Sequence, residues 1–522
     1  MDLLFLHVPK FHNYYKPIGE FSFVLFPPIG LLGLADYLRR NGHTARIIHL
    51  GVEKHLTGHL NFDKIINEHQ PAIVGLDLHW HFQSYDVIEV AREIKRAHPE
   101  VAILLGGFTA SIFAEEILRD HPFIDFVIRG DAEVPLLELL RRFLSDKSYA
   151  GVPNLTYRQA GAVASNTQTY VADNAMLDGL CFTDFTLMKD YPRFVNSFSR
   201  YVHTSAISEA FQHRLFGKHK AFQVYVGRGC VHNCCYCGGS REAHDLIASR
   251  HSVALRSVPS IVSSICDLER FGFDSACLAL DSFPLAQADR RYVEIFEELK
   301  RRKVGLHVEV ERYLLPGADF LDSFAGLAGK ESFVTLSPHS NNAELRRRNG
   351  LYRYSNADLE VCLARMESRG VNSLVCFTCG LPGETKQDLE NMAKYQRRLR
   401  KQYQHMRFKT CMIEIEPGCA MSRHPEEFNI KLDRKSFADY YRYHSLPKQN
   451  HWQEMGYSRS ACPTHSEVSK FFCTHFCERF KAGWASPLIC NTVEVAWKAG
   501  VFQAMEKLVR LNGETAVSPL RD

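Results

Sequence analysis

The sequence predicts an α/β protein with a doubly wound parallel sheet first, an incomplete strand–helix barrel second and a helical carboxyl-terminal region last. Five short apolar runs alternate with helical segments over residues 1–150. Six further strand–helix units follow from residue 222, and helical patterning prevails after residue 430. Short strands that alternate with helices are typical of parallel sheets covered by helices. A chain of 522 residues is long enough for two or three domains.

Composition places the chain among globular proteins and argues against two function classes. The net charge is only +4, so there is no electrostatic case for nucleic-acid binding. No apolar run approaches the roughly 18 residues of a membrane span, and Met1-Asp2 leads straight into a strand-like run instead of a signal pattern. The 16 cysteines are scattered, so we expect reduced thiols and a cytoplasmic protein.

The first domain is predicted over residues 1–150. A helix with prolines at its start covers 27–40 and ends at Asn41-Gly42. Further helices are expected over 85–98, 111–119 and 134–144. The strands are expected over 3–8, 44–50, 72–78, 101–105 and 123–128. In such a sheet the ligand lies at the carboxyl ends of the strands.

Small residues follow two of these strands. Gly106, Gly107 and Thr109 come after the fourth strand, and Gly130 lies in Arg-Gly-Asp-Ala-Glu after the fifth. Glycine lets the backbone approach a broad or phosphorylated ligand, and a helix that opens at Thr109 would offer free amides to a phosphate. These four residues are candidate ligand contacts. The alternative is a degenerate sheet of the same fold that binds nothing.

Three cysteines in a CxxxCxxC array share one loop: Cys230, Cys234 and Cys237. Tyr236 stands immediately before the last of them. Three thiolates within eight residues cannot close a tetrahedral site by themselves, which suits a 4Fe–4S cluster with one open iron. That iron could hold a small molecule by its amine and carboxylate. The alternatives are reduced thiols or a zinc knuckle, in which His232 or Cys235 would be the fourth ligand.

The incomplete barrel is predicted over residues 221–430, with its chemistry at the carboxyl ends of the strands. Helices are expected over 260–271, 291–302 and 356–369. The strands are expected over 222–226, 275–281, 306–311, 332–337, 372–378 and 408–414. Residues 151–220 should form a hairpin, with its turn near Gly161, and a wrapping linker.

The carboxyl-terminal region, residues 431–522, is rich in aromatic residues and is expected to be a helical cap over the substrate. Four cysteines lie in it: Cys462, Cys473, Cys477 and Cys490. A second metal site is one interpretation of these cysteines. Core or surface thiols are the other, since no CxxC pair is present there.

The cysteine array and the motifs of the first domain resemble two parts of one enzyme family. The CxxxCxxC loop with its aromatic resembles the radical S-adenosylmethionine (SAM) superfamily. Pro-Ile-Gly, Gly-Gly-Phe-Thr and Arg-Gly-Asp-Ala-Glu, in that order, resemble the cobalamin-binding domain fused to many of its members. The resemblance covers roughly residues 1–430. It implies a Rossmann-like cobalamin-binding domain, a partial TIM barrel and three cofactors: a 4Fe–4S cluster, SAM and cobalamin.

The resemblance also implies how SAM and cobalamin are held. The turn that begins at Gly380 resembles the adenine-contacting turn, Asp281 lies where relatives face the SAM amine, and His339-Ser340 replaces their Glu-Ser. Candidate SAM contacts are Tyr236, Gly238, Gly239, Asp281, Ser340, Gly380, Leu381, Pro382 and Gly383. Residues 9–26 lack the DxHxxG motif of histidine-ligated cobalamin. We therefore expect no histidine on cobalt, although His79 and His81 remain alternatives.

What the resemblance implies about function is methylation of an unactivated carbon in a small-molecule or natural-product substrate. One SAM methylates reduced cobalamin, and another gives a 5′-deoxyadenosyl radical that removes the substrate hydrogen. A one-electron reductant such as flavodoxin or ferredoxin is the expected partner. Two alternatives stay open: a non-methylating reaction such as ring formation, and a non-catalytic cobalamin or redox sensor. Transfer-RNA methylthiotransferases are excluded, because they carry cluster cysteines in the first domain and here the first cysteine is Cys181.

Overall fold

The computed structural model describes residues 1–11, 28–57, 59–199, 220–278, 287–327, 331–352, 354–446 and 456–459, with isolated positions at 281, 283, 463, 467, 468 and 471. The four cysteines of the carboxyl-terminal region lie outside the described residues, as does most of the helical cap predicted there. Among the described helices, none combines the length and the apolar character that a membrane crossing requires. The domain limits given above remain predictions.

The first sheet has seven strands in the order β2-β1-β3-β4-β5-β6-β7. The strands are β1 Leu3–His7, β2 Ala45–His49, β3 Ile73–Asp77, β4 Ala102–Gly106, β5 Phe126–Ile128, β6 Leu155–Gln159 and β7 Ala162–Ser165. The first five are parallel, which confirms the predicted doubly wound sheet. The predicted hairpin forms β6 and β7. It also pairs antiparallel with β5 and so extends the sheet, which periodicity did not indicate.

The helices of this domain cover both faces of its sheet. Alternate residues of each strand point to opposite faces and therefore belong to two separate apolar clusters. They are Ile29–Arg40, Leu50–Thr57, Phe62–His69, Ser84–Ala97, Phe108–Ile112, Ala114–Asp120 and Glu133–Phe143. Leu50–Thr57 and Phe62–His69 were not predicted, since eight residues give little periodic signal. The helix predicted over 111–119 is two helices, which meet at Phe113, where φ is −108°.

Residues 165–199 wrap from the first sheet to the barrel. They contain the helices Asn174–Gly179 and Tyr191–Ser199 and a 3₁₀ turn at Phe185–Leu187. The ring of Phe185 lies 4.9 Å from that of Phe222 and 5.1 Å from that of Phe273. This buried aromatic contact joins residues 165–199 to the first barrel strand.

The second sheet contains six parallel strands in the order β15-β14-β13-β12-β11-β8, which confirms the partial barrel. The strands of this region are β8 Ala221–Gln223, β9 Gly227–Arg228, β10 Ala254–Leu255, β11 Ser275–Leu278, β12 His307–Arg312, β13 Phe333–His339, β14 Asn372–Cys379, β15 Met406–Met412, β16 Ile430–Leu432 and β17 Tyr457–Arg459. The strand predicted over 222–226 ends at Gln223, because the chain turns out of the sheet and β9 pairs antiparallel with β10.

The barrel helices follow their strands and stand outside the sheet. They are Arg241–Ala248, Val258–Arg270, Ala288–Arg301, Ala318–Ala325, Ala343–Arg348, Asn356–Ser368, Lys386–Gln402 and Ala420–Arg423. The described part of the carboxyl-terminal region adds the helix Phe437–Ser445 and the antiparallel ribbon of β16 and β17. Phe437 packs 5.9 Å from Phe113, so this helix lies against the first domain.

Candidate functional site

The cysteine loop runs from β9 to the helix Arg241–Ala248 and is closed on itself. Arg241 N donates to His232 O at 2.8 Å, and Cys237 N donates to Cys234 O at 3.1 Å. Backbone amides also point at two of the sulfurs. His232 N lies 3.4 Å from Cys230 Sγ, and Gly239 N lies 3.3 Å from Cys237 Sγ. Such donors stabilise thiolate ligands and tune an iron–sulfur cluster.

Cys235 does not join these three thiols. Its thiol donates to Asn349 Oδ1 at 3.2 Å, and its amide donates to Asn349 O at 3.1 Å. Cys235 is 3% exposed, so its thiol makes a buried hydrogen bond to another part of the protein. Within the described residues, no three His, Cys, Asp or Glu side chains, the thiols of Cys230, Cys234 and Cys237 included, are grouped as ligands of a metal ion.

The three remaining thiols have the donor chemistry that a cluster needs. Burial raises the pKa of Cys230, raises that of Cys234 to about 12 and raises that of Cys237 well above its usual value. Buried thiols of this kind stay protonated unless a cation replaces the proton, and iron does so on binding. Three soft ligands on one amide-lined loop therefore fit an iron–sulfur cluster with an open iron.

The glycine turn after β14 has the backbone that its sequence predicts. Gly380 and Gly383 have φ values of +97° and +77°, and Gly380 N donates to the buried Glu384 carboxylate at 2.7 Å. A Cβ on Gly383 would meet only Leu345 Cδ1 at 3.9 Å, so this side of the turn is open to a flat ligand. Leu381 is fully buried and contributes its side chain to the core.

Asn349 joins this turn to the cysteine loop, a role that sequence reasoning missed. Its amide donates to Pro382 O at 3.1 Å and to Leu345 O at 2.9 Å, while its carbonyls accept from Cys235. Asn349 is 1% exposed. Its position just after a run of three arginines gave no sign of this bridging, because the partners are distant in sequence.

His339 lies at the carboxyl end of β13 in the left-handed region, with φ of +60°. Its Nδ1 is 2.9 Å from Thr378 Oγ1 and 3.3 Å from the Tyr236 hydroxyl. Burial lowers the pKa of His339 to about 4, so the ring is neutral near neutral pH. Among the described residues its Nε2 is buried without a hydrogen-bond partner. The two hydroxyls can each donate to Nδ1 or accept from it, so Nε2 is the ring atom left for a ligand in either tautomer.

The neighbouring Ser340 makes only local contacts. Its hydroxyl accepts from Asn342 N at 3.1 Å, and its amide donates to Pro338 O at 2.7 Å. The residue is 1% exposed. A contact between Ser340 and SAM stays a prediction.

Asp281 is bonded inside the barrel wall. Its Oδ2 accepts from Arg312 Nε at 3.0 Å and from Tyr313 N at 3.2 Å, while Tyr292 donates to Oδ1 at 3.4 Å. Asp281 and Arg312 are 3% and 1% exposed in this ion pair. These contacts give Asp281 a structural role, and a contact with the SAM amine stays a prediction.

Glu416 lies against the cysteine loop and was not predicted as a site residue. Its carboxylate accepts from Gly238 N at 2.6 Å, and a Cβ on Gly238 would lie 2.8 Å from the same oxygen. Burial raises the pKa of Glu416 to about 7. Gly238 is therefore a glycine because of this protein contact. The sequence signal was the Glu-Pro-Gly segment at 416–418, which indicated only the end of the barrel.

Three of the four candidate residues at the carboxyl edge of the first sheet contact other parts of the protein. A Cβ on Gly107 would lie 2.8 Å from the His79 backbone, and one on Gly130 would lie 2.8 Å from Ala248 Cα. The amide and the hydroxyl of Thr109 both donate to His79 O, at 3.2 and 3.0 Å. Among the described residues, a Cβ on Gly106 would meet only the Ile128 carbonyl, at 3.9 Å. Contacts of these four residues with cobalamin stay predictions.

The two histidines considered for cobalt are both packed into the protein. The His79 ring stacks on Phe108 at 4.6 Å, and burial lowers its pKa to about 4. His81 Nδ1 lies 3.2 Å from His444 Nε2, and its Nε2 lies 3.6 Å from Glu414. Binding of cobalamin without a histidine ligand stays a prediction.

Known families match both halves of the chain. The B12 binding domain matches residues 19–140, and the radical SAM superfamily matches residues 224–395. An uncharacterized methyltransferase of Pyrococcus horikoshii is 27% identical over 221 residues, or 41% of each chain. The hopanoid C-3 methylase of Methylococcus capsulatus is 34% identical over 139 residues, or 26% of each chain. The matches thus span less than half the length of these curated relatives.

One solved structure has the same fold along nearly the whole chain. It is the radical SAM methyltransferase TsrM of Kitasatospora setae with cobalamin and a [4Fe-4S] cluster bound. The TM-score is 0.62 at 15% identity, with 99% of this chain and 100% of that chain covered. At this identity the likeness shows the fold alone. The two domain matches and the cysteine loop lead to one conclusion: the chain belongs to the radical SAM enzymes that carry a B12-binding domain ahead of the radical SAM core.

Proposed function

We propose that this protein is a cobalamin-dependent methyltransferase that acts on an unactivated carbon of a small-molecule or natural-product substrate. The observation that carries the proposal is the contact between the two cofactor-binding regions. The ring of Phe108, which follows Gly107 at the end of β4, lies 5.2 Å from the ring of His244 on the helix that follows the cysteine loop. Sites this close support chemistry that uses both cofactors in one active site.

When bound, the three cofactors supply a 5′-deoxyadenosyl radical and a transferable methyl group. The protein's own part is to hold and orient them. The array Cys230, Cys234 and Cys237 would ligate the cluster and leave one iron open. The Gly380–Gly383 turn would take the adenine against its open side. The neutral His339 would make a hydrogen bond to SAM through Nε2, since a buried polar atom without a partner is costly unless a ligand satisfies it.

The first test is cofactor loading under anaerobic conditions. We expect protein reconstituted with iron, sulfide and hydroxocobalamin to keep both the cluster and the corrinoid absorption after desalting. With SAM and reduced flavodoxin or ferredoxin it should form 5′-deoxyadenosine. Cys234→Ala should lose the iron and that product but keep the corrinoid, because the thiol lies in the cysteine loop and not at the edge of the first sheet.

Each alternative gives a different result. Corrinoid uptake with an intact cluster but no cleavage of SAM would indicate a sensor. Cleavage without any corrinoid uptake would refute the methyltransferase and leave only the radical SAM assignment. If both cofactors bind, product analysis with methyl-labelled SAM distinguishes methylation of the substrate from a non-methylating reaction.

A further inference from the structure

Buried ion pairs join the loop after β5 to the segment that carries the cluster cysteines. Arg228 ends β9 two residues before Cys230. Its guanidinium donates to Asp131 Oδ1 at 2.9 Å and to Glu133 Oε1 at 2.8 Å. Asp131 is 6% exposed and Glu133 is 2% exposed. Charges this deeply buried are retained only when they are paired, so these contacts are constrained far more than a surface ion pair.

The other end of the same segment reaches the same carboxylate. Arg250 lies two residues beyond the helix Arg241–Ala248 and is 3% exposed. It donates to Asp131 Oδ2, and at 2.7 Å to Ala172 O. Asp131 Oδ2 also accepts from Ala172 N at 2.8 Å. A single carboxylate of the first domain thus holds both ends of residues 228–250, the stretch that contains all three cysteines.

The charges of this cluster balance. Burial alone would raise the pKa of Asp131, but Arg228 and Arg250 together lower it, so the carboxyl is ionised. Burial would lower the pKa of Arg228, and the two carboxylates outweigh that and raise it. Two arginines facing two carboxylates form a neutral set, and removal of one member would leave an uncompensated buried charge.

Packing holds the rest of the segment against the first domain. A Cβ on Gly130 would lie 2.8 Å from Ala248 Cα, Gln168 donates to Ile247 O, and the Phe108 ring lies 5.2 Å from that of His244. These contacts account for the Arg-Gly-Asp-Ala-Glu motif without a cofactor: the glycine allows the close approach, and the two acids bind the arginines.

We propose that Asp131 is a positioning residue that fixes the distance and orientation between the cysteine loop and the carboxyl edge of the first sheet. The inference rests on the proposed function, because its consequence is the geometry between the two cofactor sites. The cysteine loop follows β9, outside the first sheet, and Gly106 ends β4 of the first sheet. A displacement of about 1 Å between reacting groups can cost about a hundredfold in rate, so such a link governs the coupling of the two sites.

The test replaces the shared charge while keeping the shape of the side chain. Asp131→Asn retains one carbonyl acceptor and removes the charge that both arginines use. In the loaded protein, we expect iron and corrinoid contents equal to wild type. Cleavage of SAM in the absence of substrate should stay within about twofold, since it needs only the barrel site. The distance distribution between the reduced cluster and cob(II)alamin, measured by pulsed electron paramagnetic resonance, should broaden and shift.

A second measurement uses the full chain without cofactors. Amide hydrogen exchange over residues 241–250 should accelerate by about tenfold or more in Asp131→Asn, because the anchored end is released. Arg228→Lys keeps the charge but cannot bridge two carboxylates, so it should give a smaller change in both readouts. Asp120→Asn, which alters an exposed pair with Arg119 on the same domain, should change neither.

The outcomes distinguish a failure of this inference from a failure of the proposed function. If Asp131→Asn leaves both the distance distribution and the exchange of 241–250 unchanged, Asp131 positions nothing and the inference is wrong. If exchange accelerates but the cofactor distance is unaltered, the ion pairs stabilise the segment without setting the geometry, and the inference is also wrong. If wild type takes up no cobalamin, the proposed function fails, and the exchange experiment still decides whether Asp131 anchors the segment.

Discussion

Cys235 and Cys234 are adjacent in sequence and differ in what their thiols contact. The Cys235 thiol donates to Asn349, while Cys234 belongs to the three-cysteine array. We predict that Cys235→Ala retains iron and SAM cleavage but loses about 1–3 kcal/mol of unfolding free energy, because a buried hydrogen bond and a sulfur atom are lost. Cys234→Ala should lose the iron. Iron analysis and urea unfolding of the apoproteins test this, and a Cys235→Ala protein without iron would contradict the ligand assignment.

At the carboxyl edge of the first sheet, the residues that follow β3 and β4 pack closely against each other. Gly107 has φ of +107°, and a Cβ there would meet the His79 backbone at 2.8 Å. We predict that Gly107→Ala costs about 3 kcal/mol or more, since neither the backbone conformation nor the contact allows a side chain. Gly42→Ala is the matched control: φ is +84° with no atom within 4 Å, so about 1 kcal/mol is expected. Equal losses in denaturant unfolding would show that this packing imposes no extra constraint.

The periodicity of apolar residues was sufficient to predict the strands, but it did not predict what the residues at the strand ends contact. The eleven parallel strands of the described residues could all be predicted, because buried strands are apolar runs between turn residues. Glycine has two uses, however, and sequence does not distinguish them. Among the described residues, a Cβ on Gly383 would meet one side-chain atom at 3.9 Å, whereas one on Gly107 or Gly130 would come within 3 Å of other protein atoms. The roles of Asn349 and Asp131 depend on partners far away in sequence, so no local pattern could reveal them.

Buried histidines make the stability of the whole molecule depend on pH. Burial lowers the pKa of His244 to about 4, and the unfolded value is 6.5. As the pH falls, the unfolded chain therefore binds a proton before the folded chain does. The contribution of neutral His244 to the unfolding free energy is fully present above pH 6.5 and is lost as the pH falls through about 4. For His244 alone the loss is about 3 kcal/mol. Burial raises the pKa of Glu309 to about 7, so its effect on the unfolding free energy changes with pH in the opposite direction. The contribution of one group is therefore obtained as the difference between wild type and a variant that lacks it.

We predict that His244→Phe, which keeps a ring beside Phe108, makes unfolding of the apoprotein less dependent on pH by about one proton between pH 6.5 and 4. His251→Gln, which removes an exposed histidine three residues beyond the helix Arg241–Ala248, is the matched control. Denaturant unfolding at several pH values measures both. A slope for His244→Phe identical to that of wild type would mean that this histidine is not buried in its neutral form.

The residues that support the barrel site extend beyond the region that matches the radical SAM superfamily. The radical SAM match ends at residue 395, yet the hydroxyl of Tyr457 donates to the carbonyl of Gly380, 77 residues earlier in the chain. Tyr457 belongs to β17, which pairs with β16, so the ribbon carries the buried donor for the turn assigned to adenine. A fragment cut at the homology boundary would leave that carbonyl without its donor. Loss of SAM binding in such a fragment would therefore report a missing structural support, even with every predicted SAM contact still present.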